Sequence, residues 1–145
     1  MKNIHCRTVT WEEQKELLRV IRTRVFIEEQ NVPLELEWDN ADTSAQHFLL
    51  SVDKKAIGCA RLLPSGQIGR MAILKPFRNC GYGRELLLTI IERAQQQNIS
   101  PLFLHAQNQA VPFYKKLGFF VQGDEFMDAG IAHHGMFYKP EPLSL

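Results

Sequence analysis

The chain has 145 residues, a hydrophobic content of 45% and a formal net charge of +1 at pH 7. That length suits one domain with one core, and the composition argues against a disordered chain. The charge lacks the basic excess of nucleic-acid-binding proteins, no apolar run approaches the roughly 20 residues that span a bilayer, and the polar start Met1-Lys2-Asn3 is not a secretory signal. We therefore expect one cytoplasmic domain over residues 1–145, with neither nucleic acid nor a membrane as a partner.

The first part of the chain predicts a strand, a helix and a polar connector. Residues 4–9 have the pattern of a strand, and Thr10 with Glu13 fits a capping box that begins a helix. The helix should end before Pro33, because proline disfavours helix in the residue ahead of it. Residues 31–44 then form the connector. The apolar positions at helical spacing are Leu17, Leu18, Ile21, Val25 and Ile27.

From residue 47 the pattern changes to strands. Residues 47–52, 56–63 and 67–74 are separated by the turns Asp53-Lys54-Lys55 and Pro64-Ser65-Gly66, which predicts a three-stranded antiparallel meander. Helices are expected at 84–97 and 110–117, the second closed by Gly118, and short strands at 102–105, 119–122 and 135–139. This order of elements predicts an α/β fold, in which a mixed sheet has helices on both faces.

An anion-binding loop is predicted between the third meander strand and the helix after it. The segment Arg78-Asn79-Cys80-Gly81-Tyr82-Gly83-Arg84 leads into the first turn of that helix. A first turn has unpaired N–H donors and the positive end of the helix dipole, so a phosphate-bearing ligand is favoured. A Walker loop is excluded because Arg84 and Glu85 stand where Lys and Ser or Thr are needed. A dinucleotide fingerprint is excluded because Leu86 replaces its third small residue.

No metal site is predicted. The cysteines Cys6, Cys59 and Cys80 are far apart and form no C-x-x-C pair. His133 and His134 are adjacent, and adjacent residues of a strand point to opposite faces, so they make a poor metal clamp.

Four segments in order resemble the GNAT family of N-acetyltransferases. They are Arg78-x-x-Gly81-x-Gly83 after Met71-Ala72-Ile73, Asn108 with residues 113–119, residues 24–30, and residues 128–136. The first resembles the acetyl-CoA signature of the family and the second its other signature, while the last two are similar to the bacterial ElaA/YjcF-like subgroup. The resemblance covers nearly the whole chain. It implies a single-domain, mostly antiparallel, twisted sheet with acetyl-CoA as co-substrate.

The resemblance also implies how the strand before the loop binds the cofactor. In the family this strand diverges from its neighbour, so the backbone of Met71 and Ile73 would pair with the pantetheine arm as an added strand would. Gly69 is the expected place for a strand irregularity, because glycine in a strand often marks a bulge.

In the loop, Gly81 and Gly83 would let the backbone approach phosphate, and Arg78 and Arg84 would add positive charge. The full cofactor-binding set implied by the resemblance is Met71, Ala72, Ile73, Arg78, Asn79, Cys80, Gly81, Tyr82, Gly83, Arg84, Asn108 and Tyr114.

Tyr114 is the predicted general acid. Attack of an amine on the thioester expels the CoA thiolate, which a nearby phenol can protonate, and in the family the position matching Tyr114 commonly does so. The alternative is that Tyr114 packs in the core between Phe113 and Leu117. For Asn108 the alternatives are binding the cofactor and capping its helix.

The general base is expected in an acidic window without Lys or Arg. Its members are Glu28, Glu29, Glu35, Glu37, Asp39 and Asp42. The window is either a solvated loop or part of the acceptor mouth, where carboxylates attract a cationic amine. Glu29 is the predicted base, because residues 26–30 match the subgroup. Asp128 and His133 are alternative acceptor contacts.

These residues together predict direct transfer of an acetyl group from acetyl-CoA to a primary amine. No covalent enzyme intermediate is expected, since Cys80 in the phosphate loop would lie far from the thioester. The acceptor could be a small molecule, a peptide or a protein, and a homodimer is a reasonable expectation. The alternatives are a non-catalytic acyl-CoA-binding or regulatory module, and a phosphate-binding enzyme that uses a nucleotide.

Overall fold

The computed structural model describes residues 2–139. The strands are β1 (Ile4–Val9), β2 (Gln46–Val52), β3 (Lys55–Leu62), β4 (Gln67–Ile73), β5 (Phe103–Gln107), β6 (Phe119–Val121), β7 (Phe126–Asp128) and β8 (Ile131–Tyr138). The helices are α1 (Trp11–Arg22), α2 (Leu34–Glu37), α3 (Tyr82–Gln96) and α4 (Val111–Lys116), with a π-helical segment at Thr23–Glu29 and 3-10 turns at Lys75–Phe77 and Asn108–Ala110.

The strands form one sheet in the order β1-β2-β3-β4-β5-β8-β6, and β7 pairs with β8. Adjacent strands are antiparallel except β4 and β5, which are parallel. Leu18 of α1 lies in a buried cluster with Leu49, whereas Leu86 of α3 lies in another with Leu50. Neighbouring residues on a strand point to opposite faces, so helices cover both faces of the sheet. The expected mixed, mostly antiparallel α/β fold is confirmed.

The first helix begins as predicted and then changes its hydrogen bonding. Thr10 Oγ1 accepts a hydrogen bond from the Glu13 backbone N–H at 3.2 Å, and the Glu13 carboxylate accepts one from the Thr10 hydroxyl at 2.7 Å. After α1 the chain widens into the π-helical segment and turns at Asn31, whose φ is 57°. Apolar spacing predicted the extent of this helical region but did not reveal its π-helical part. Leu17, one of the apolar positions used for that prediction, is 43% exposed.

The connector between residues 31 and 44 is more than a solvated loop. It contains α2, and its Glu37 and Asp42 side chains are buried. Both bind Arg22 of α1, which is only 1% exposed: Nε donates to Glu37 Oε2 at 2.7 Å and Nη1 donates to Asp42 Oδ1 at 2.8 Å. A buried charge requires such partners, so Arg22 draws these two acids out of solvent.

The C-terminal part contains a hairpin that the sequence prediction omitted. β7 pairs with the beginning of β8, and the turn between them has positive φ at Ala129 (51°) and Gly130 (76°). Two successive positive φ values are typical of the tight turns that join antiparallel strands. β8 therefore begins at Ile131, four residues before the expected strand.

β4 and β5 diverge soon after they pair. Their pairing is limited to Gln67 with Phe103 and Ile68 with Leu104, although β4 continues to Ile73 and β5 to Gln107. The backbone of β4 after Ile68 therefore has β3 on one side and no strand on the other.

A bulge in β4 lies at the start of this divergence. Cys59 pairs with Ala72 and Arg61 pairs with Gly69, so two residues of β4 oppose one residue of β3. Arg70 in the bulge has a φ of 50°. The irregularity thus directly follows Gly69, where it was expected.

Candidate active site

The loop before α3 offers a row of backbone donors. Gly81 precedes the helix with a φ of 84°, and no side chain caps the first turn. The N–H groups of residues 79–84 make no hydrogen bond within the described part of the chain, whereas the Glu85 N–H bonds to the Gly81 carbonyl. Unpaired donors at a helix N-terminus are suited to bind an anion.

The side chains of the loop differ in exposure. Asn79, Cys80 and Arg84 are exposed, whereas Tyr82 is buried under the loop. A Cβ at Gly83 would lie 3.5 Å from the Phe113 ring, an ordinary contact distance, so Gly83 is not required by packing against α4.

Arg78 has its donors already engaged. Nε donates to the Ile73 carbonyl at 2.9 Å, while Nη1 and Nη2 donate to the two carboxylate oxygens of Glu29 at 2.9 and 2.8 Å. The hydrogen bonds from Arg78 lower the pKa of Glu29 below its usual value. A general base needs a free lone pair that faces the acceptor amine. Both carboxylate oxygens of Glu29 face Arg78 instead, which does not match the predicted role of Glu29. Glu29 also lies outside the lining of the cavity described below.

The unpaired edge of β4 suits an extended ligand. The Leu74 N–H donates to the Ile57 carbonyl of β3, and backbone groups of successive strand residues alternate in direction. The backbone of Ile73 therefore points away from β3, toward the divergence. The Ala72 side chain is buried, whereas the side chains of Met71 and Ile73 are partly exposed.

Tyr114 of α4 reaches this edge. Its hydroxyl donates to Met71 Sδ at 3.7 Å, and its ring packs edge-on against Phe113 and Phe119. Burial raises the pKa of Tyr114 to about 12, so the phenol stays protonated at neutral pH. Tyr114 packs its ring in the core and also lines the cavity described below, and its role as general acid stays a prediction.

Asn108 does not cap α4. The N-cap position is Ala110, with no side-chain cap hydrogen bond. The Asn108 side chain instead donates to the Glu125 carboxylate and lies 2.8 Å from His134 Nδ1 through its Oδ1. Of the two predicted roles, capping is therefore wrong, and cofactor binding stays a prediction.

A cavity of about 590 Å³ opens at the divergence. It lies between the π-helical segment, α2, the bulge of β4, the ends of β5 and α4, and the β7–β8 hairpin. The polar residues that line it are Gln30, Glu37, Asp39, Arg61, Gln67, Arg70, His105, Gln107, Tyr114, Asp128 and His133.

Ion pairs fix one wall of this cavity. Arg61 binds both carboxylate oxygens of Asp39 at 2.8 Å, and this lowers the pKa of Asp39 to about 2. Arg70 Nε lies 3.1 Å from Glu37 Oε2, the oxygen that also accepts from Arg22. Burial raises the pKa of Glu37 despite these cations.

Sequence reasoning missed most of this wall. Arg61 and Arg70 lie in strands that were predicted, but their contacts with Asp39 and Glu37 join residues more than 20 positions apart. Glu37 and Asp39 belong to the acidic window, so the window was the available signal. It did not reveal which acids are paired.

The part of the chain that the structure describes contains neither a metal-binding group of side chains nor a membrane-spanning helix. Within residues 2–139 there is no group of three or more His, Cys, Asp or Glu side chains arranged to hold a metal ion. No helix in that range combines the length and the apolar character needed to cross a membrane.

Comparison with known proteins agrees with this geometry. The family model of the acetyltransferase (GNAT) domain matches residues 9–140. The uncharacterized N-acetyltransferase YjcF of Bacillus subtilis is 37% identical over 126 residues, which cover 84% of this chain and 90% of YjcF.

Solved structures of similar proteins have the same fold. Escherichia coli ElaA matches with a TM-score of 0.84 at 25% identity, covering 94% of this chain and 100% of the other. An acyl-CoA N-acyltransferase from Pseudomonas aeruginosa gives 0.80 at 27% identity, covering 96% and 100%. The resemblance seen in the sequence is confirmed, and the chain belongs to the GNAT family of acetyltransferases.

Proposed function

We propose that this acyltransferase moves the acetyl group of acetyl-CoA directly to a primary amine. The observation that supports this most is the unpaired edge of β4, which lies between a row of free N–H donors and the Tyr114 hydroxyl. A fold neighbour from Elizabethkingia anophelis, 20% identical with a TM-score of 0.68, was solved with acetyl-CoA bound.

In the proposed complex each part of the cofactor has its own protein partner. The pyrophosphate accepts hydrogen bonds from the N–H groups of residues 79–84, assisted by the side chain of Arg84. The pantetheine amides pair with the β4 backbone around Met71 and Ile73. Arg78 contacts phosphate only after it releases Glu29, and pantetheine pairing at the Ile73 carbonyl requires Arg78 Nε to leave it.

The proposed chemical step balances without a covalent enzyme intermediate. The amine nitrogen attacks the thioester carbonyl carbon, the C–S bond breaks, and its electron pair goes to sulfur. Tyr114 gives its hydroxyl proton to the CoA thiolate, while a base takes a proton from the amine nitrogen. The products are an amide and CoA thiol.

The acceptor enters through the cavity on the α1 and α2 side of the sheet. Its wall carries acids and cations together, with apolar Phe26 and Leu36 beside them. A small amine, an amino sugar, a peptide N-terminus and a protein lysine all present the primary amine that this reaction needs.

The function is tested by measuring release of free thiol from acetyl-CoA with a panel of amines, beside calorimetric titration of CoA. Turnover with at least one amine and measurable CoA binding are expected. Binding of CoA without turnover across a broad panel would favour a non-catalytic acyl-CoA-binding module. Binding of ATP but not of CoA would overturn the assignment.

A further inference from the structure

His133 is held rigidly at the cavity wall. It lies on β8, opposite Gln107 of β5 and Phe126 of β7. Its ring stacks on Phe126 with centroids 5.8 Å apart and an interplanar angle of 21°, and the residue is 8% exposed. The imidazole therefore has one fixed orientation.

The hydrogen bond of His133 determines which ring nitrogen has the lone pair. Nδ1 lies 2.7 Å from the Ile131 carbonyl oxygen, and a carbonyl can only accept, so Nδ1 carries the proton. In the neutral ring Nε2 is then the unprotonated nitrogen. This tautomer is the one in which Nε2 can take a proton from another group.

His133 lines the cavity. Within residues 2–139 its ring makes a hydrogen bond through Nδ1 and none through Nε2. Because His133 lines the same cavity as Tyr114, its free nitrogen has access to the space where the acceptor would lie.

The carboxylates near the site are less suited to take the amine proton. Both oxygens of Glu29 are bound by Arg78, and both oxygens of Asp39 are bound by Arg61. Glu37 has Oε2 bound by Arg22 and close to Arg70. Asp128 is exposed at the hairpin turn. For Glu29 and Asp39 the guanidinium stabilises the charged form and lowers the pKa, so these two carboxylates are weak proton acceptors. Burial raises the pKa of Glu37, but its Oε2 accepts from Arg22 and lies 3.1 Å from Arg70 Nε.

We propose that His133 is the general base of the acetyl transfer, with Nε2 accepting the proton of the attacking amine. The inference rests on the proposed function and assigns its missing residue. As the amine nitrogen bonds to the thioester carbon, its proton moves to Nε2 and the C–S electron pair goes to sulfur, which takes the Tyr114 proton. Proton exchange with solvent then restores neutral imidazole and phenol.

Other charged or titratable residues line the same cavity as His133, on the elements around it. They are Asp128 of β7, His105 of β5, Glu37 of α2, Asp39 after α2, Arg61 of β3, Arg70 of β4 and Tyr114 of α4. Substitution of His133 itself separates its contribution to the pH dependence from theirs.

The test uses His133→Asn in the full chain. The asparagine amide can still donate to the Ile131 carbonyl, so the structural hydrogen bond is retained while the base is removed. We expect kcat to fall by about 10²- to 10⁴-fold, with CoA affinity unchanged by calorimetry. His5→Asn, at an exposed position of β1, is the matched control and should keep wild-type kcat.

A second variant provides a readout that a purely structural role would not change. Imidazole added to His133→Ala should restore formation of the acetylated amine, because free imidazole can occupy the vacated space and accept the proton. Mass spectrometry of the amide product is required, since imidazole can itself release thiol from acetyl-CoA.

The wild-type enzyme provides a test that does not depend on the folding of a variant. The rate is measured against pH with two acceptor amines that differ in basicity. Two losses of rate on acidification are expected. The pH of one loss should change with the basicity of the amine, and the pH of the other should be the same for both amines. If only the first occurs, or if His133→Asn keeps kcat within about threefold, the base assignment is overturned while the proposed function stands. Absence of wild-type turnover with every amine would instead remove the proposed function, and the inference with it.

Discussion

At the scale of single residues, two side chains of the site each have a sharply defined environment. Tyr114 packs its ring against Phe113, donates its hydroxyl to Met71 Sδ and lines the cavity. Glu29 faces Arg78 and not the cavity. Each environment leads to a prediction that a kinetic experiment can separate from simple loss of folding.

Tyr114→Phe should lower kcat by about 10- to 1,000-fold while calorimetric binding of acetyl-CoA stays close to wild type. The substitution keeps the ring that packs against Phe113 and Phe119 and removes only the proton donor. Phe113→Leu serves as the control, because it disturbs packing without removing a hydroxyl. An unchanged kcat in Tyr114→Phe would remove this residue from the mechanism.

Glu29→Gln distinguishes two roles for this acid. If Glu29 acts mainly by holding Arg78, its removal should tighten CoA binding by up to about fivefold, as an exposed ion pair is worth at most about 1 kcal/mol. The affinity is measured by titration calorimetry at two salt concentrations. A loss of kcat by 100-fold or more, at unchanged CoA affinity, would instead restore Glu29 as the base. Glu28→Gln, beside it in the same segment, is the control.

At the scale of elements, the site depends on a loop and on two strands that part. The loop was recognisable from sequence, because glycines and arginines between a strand and a helix form a local pattern. Gly81 has the positive φ that this pattern implies, and its missing Cβ would meet no protein atom within 4 Å. Glycine is therefore required here by the backbone conformation and not by packing against protein atoms.

Gly81→Val should weaken acetyl-CoA binding by at least about tenfold. A β-branched residue at a φ of 84° costs about 1–2 kcal/mol, and its side chain would project toward the proposed phosphate site. Gly123→Val is a matched control, since Gly123 has a φ of 91° and equally open surroundings but lies between β6 and β7. Equal loss of CoA affinity in both variants, measured by calorimetry, would show that the loop is misassigned.

The divergence of β4 from β5 illustrates a limit of local patterns. Residues 67–74 and 102–105 were both predicted as strands, with bounds close to those observed. Neither segment contains a sequence signal that the pairing of the two strands ends at Ile68 and Leu104. Pairing depends on register and on a bulge in β4, and both are properties of strands that are far apart in the chain.

At the scale of the whole molecule, a buried ion-pair network links helices, connector and sheet. Arg22 of α1 binds Glu37 and Asp42, and Arg61 of β3 also binds Asp42, at 3.0 Å. Trp38 stacks on Arg22 with its ring centre 5.0 Å from the guanidinium carbon. The wall of the cavity is thereby positioned by residues outside it.

Arg22→Met should destabilise the fold by about 3–5 kcal/mol, because it removes the buried cation that binds both Glu37 and Asp42 and leaves them with Arg70 and Arg61 alone. For a chain of this size that corresponds to a fall in Tm of roughly 6–20 °C, measured by urea and thermal unfolding. Arg19→Met is the control: Arg19 is exposed and stacks on Trp38 at 4.9 Å, so its loss should cost about 1 kcal/mol or less. A similar small effect for both variants would mean that Glu37 and Asp42 find other partners.

Sequence alone predicted the main strands and helices, though not α2 or β7, and it singled out the loop before α3 and Tyr114 as candidate site residues, because capping residues, glycines and apolar spacing act over a few neighbouring positions. Only the tertiary structure decided that Glu29 holds Arg78, that Glu37 and Asp42 are buried, and that His133 lines the cavity with its Nδ1 bound to the Ile131 carbonyl. These outcomes depend on which charged residues come into contact although they are distant in the sequence, and on how far each is desolvated. Neither can be read from the order of residues along the chain.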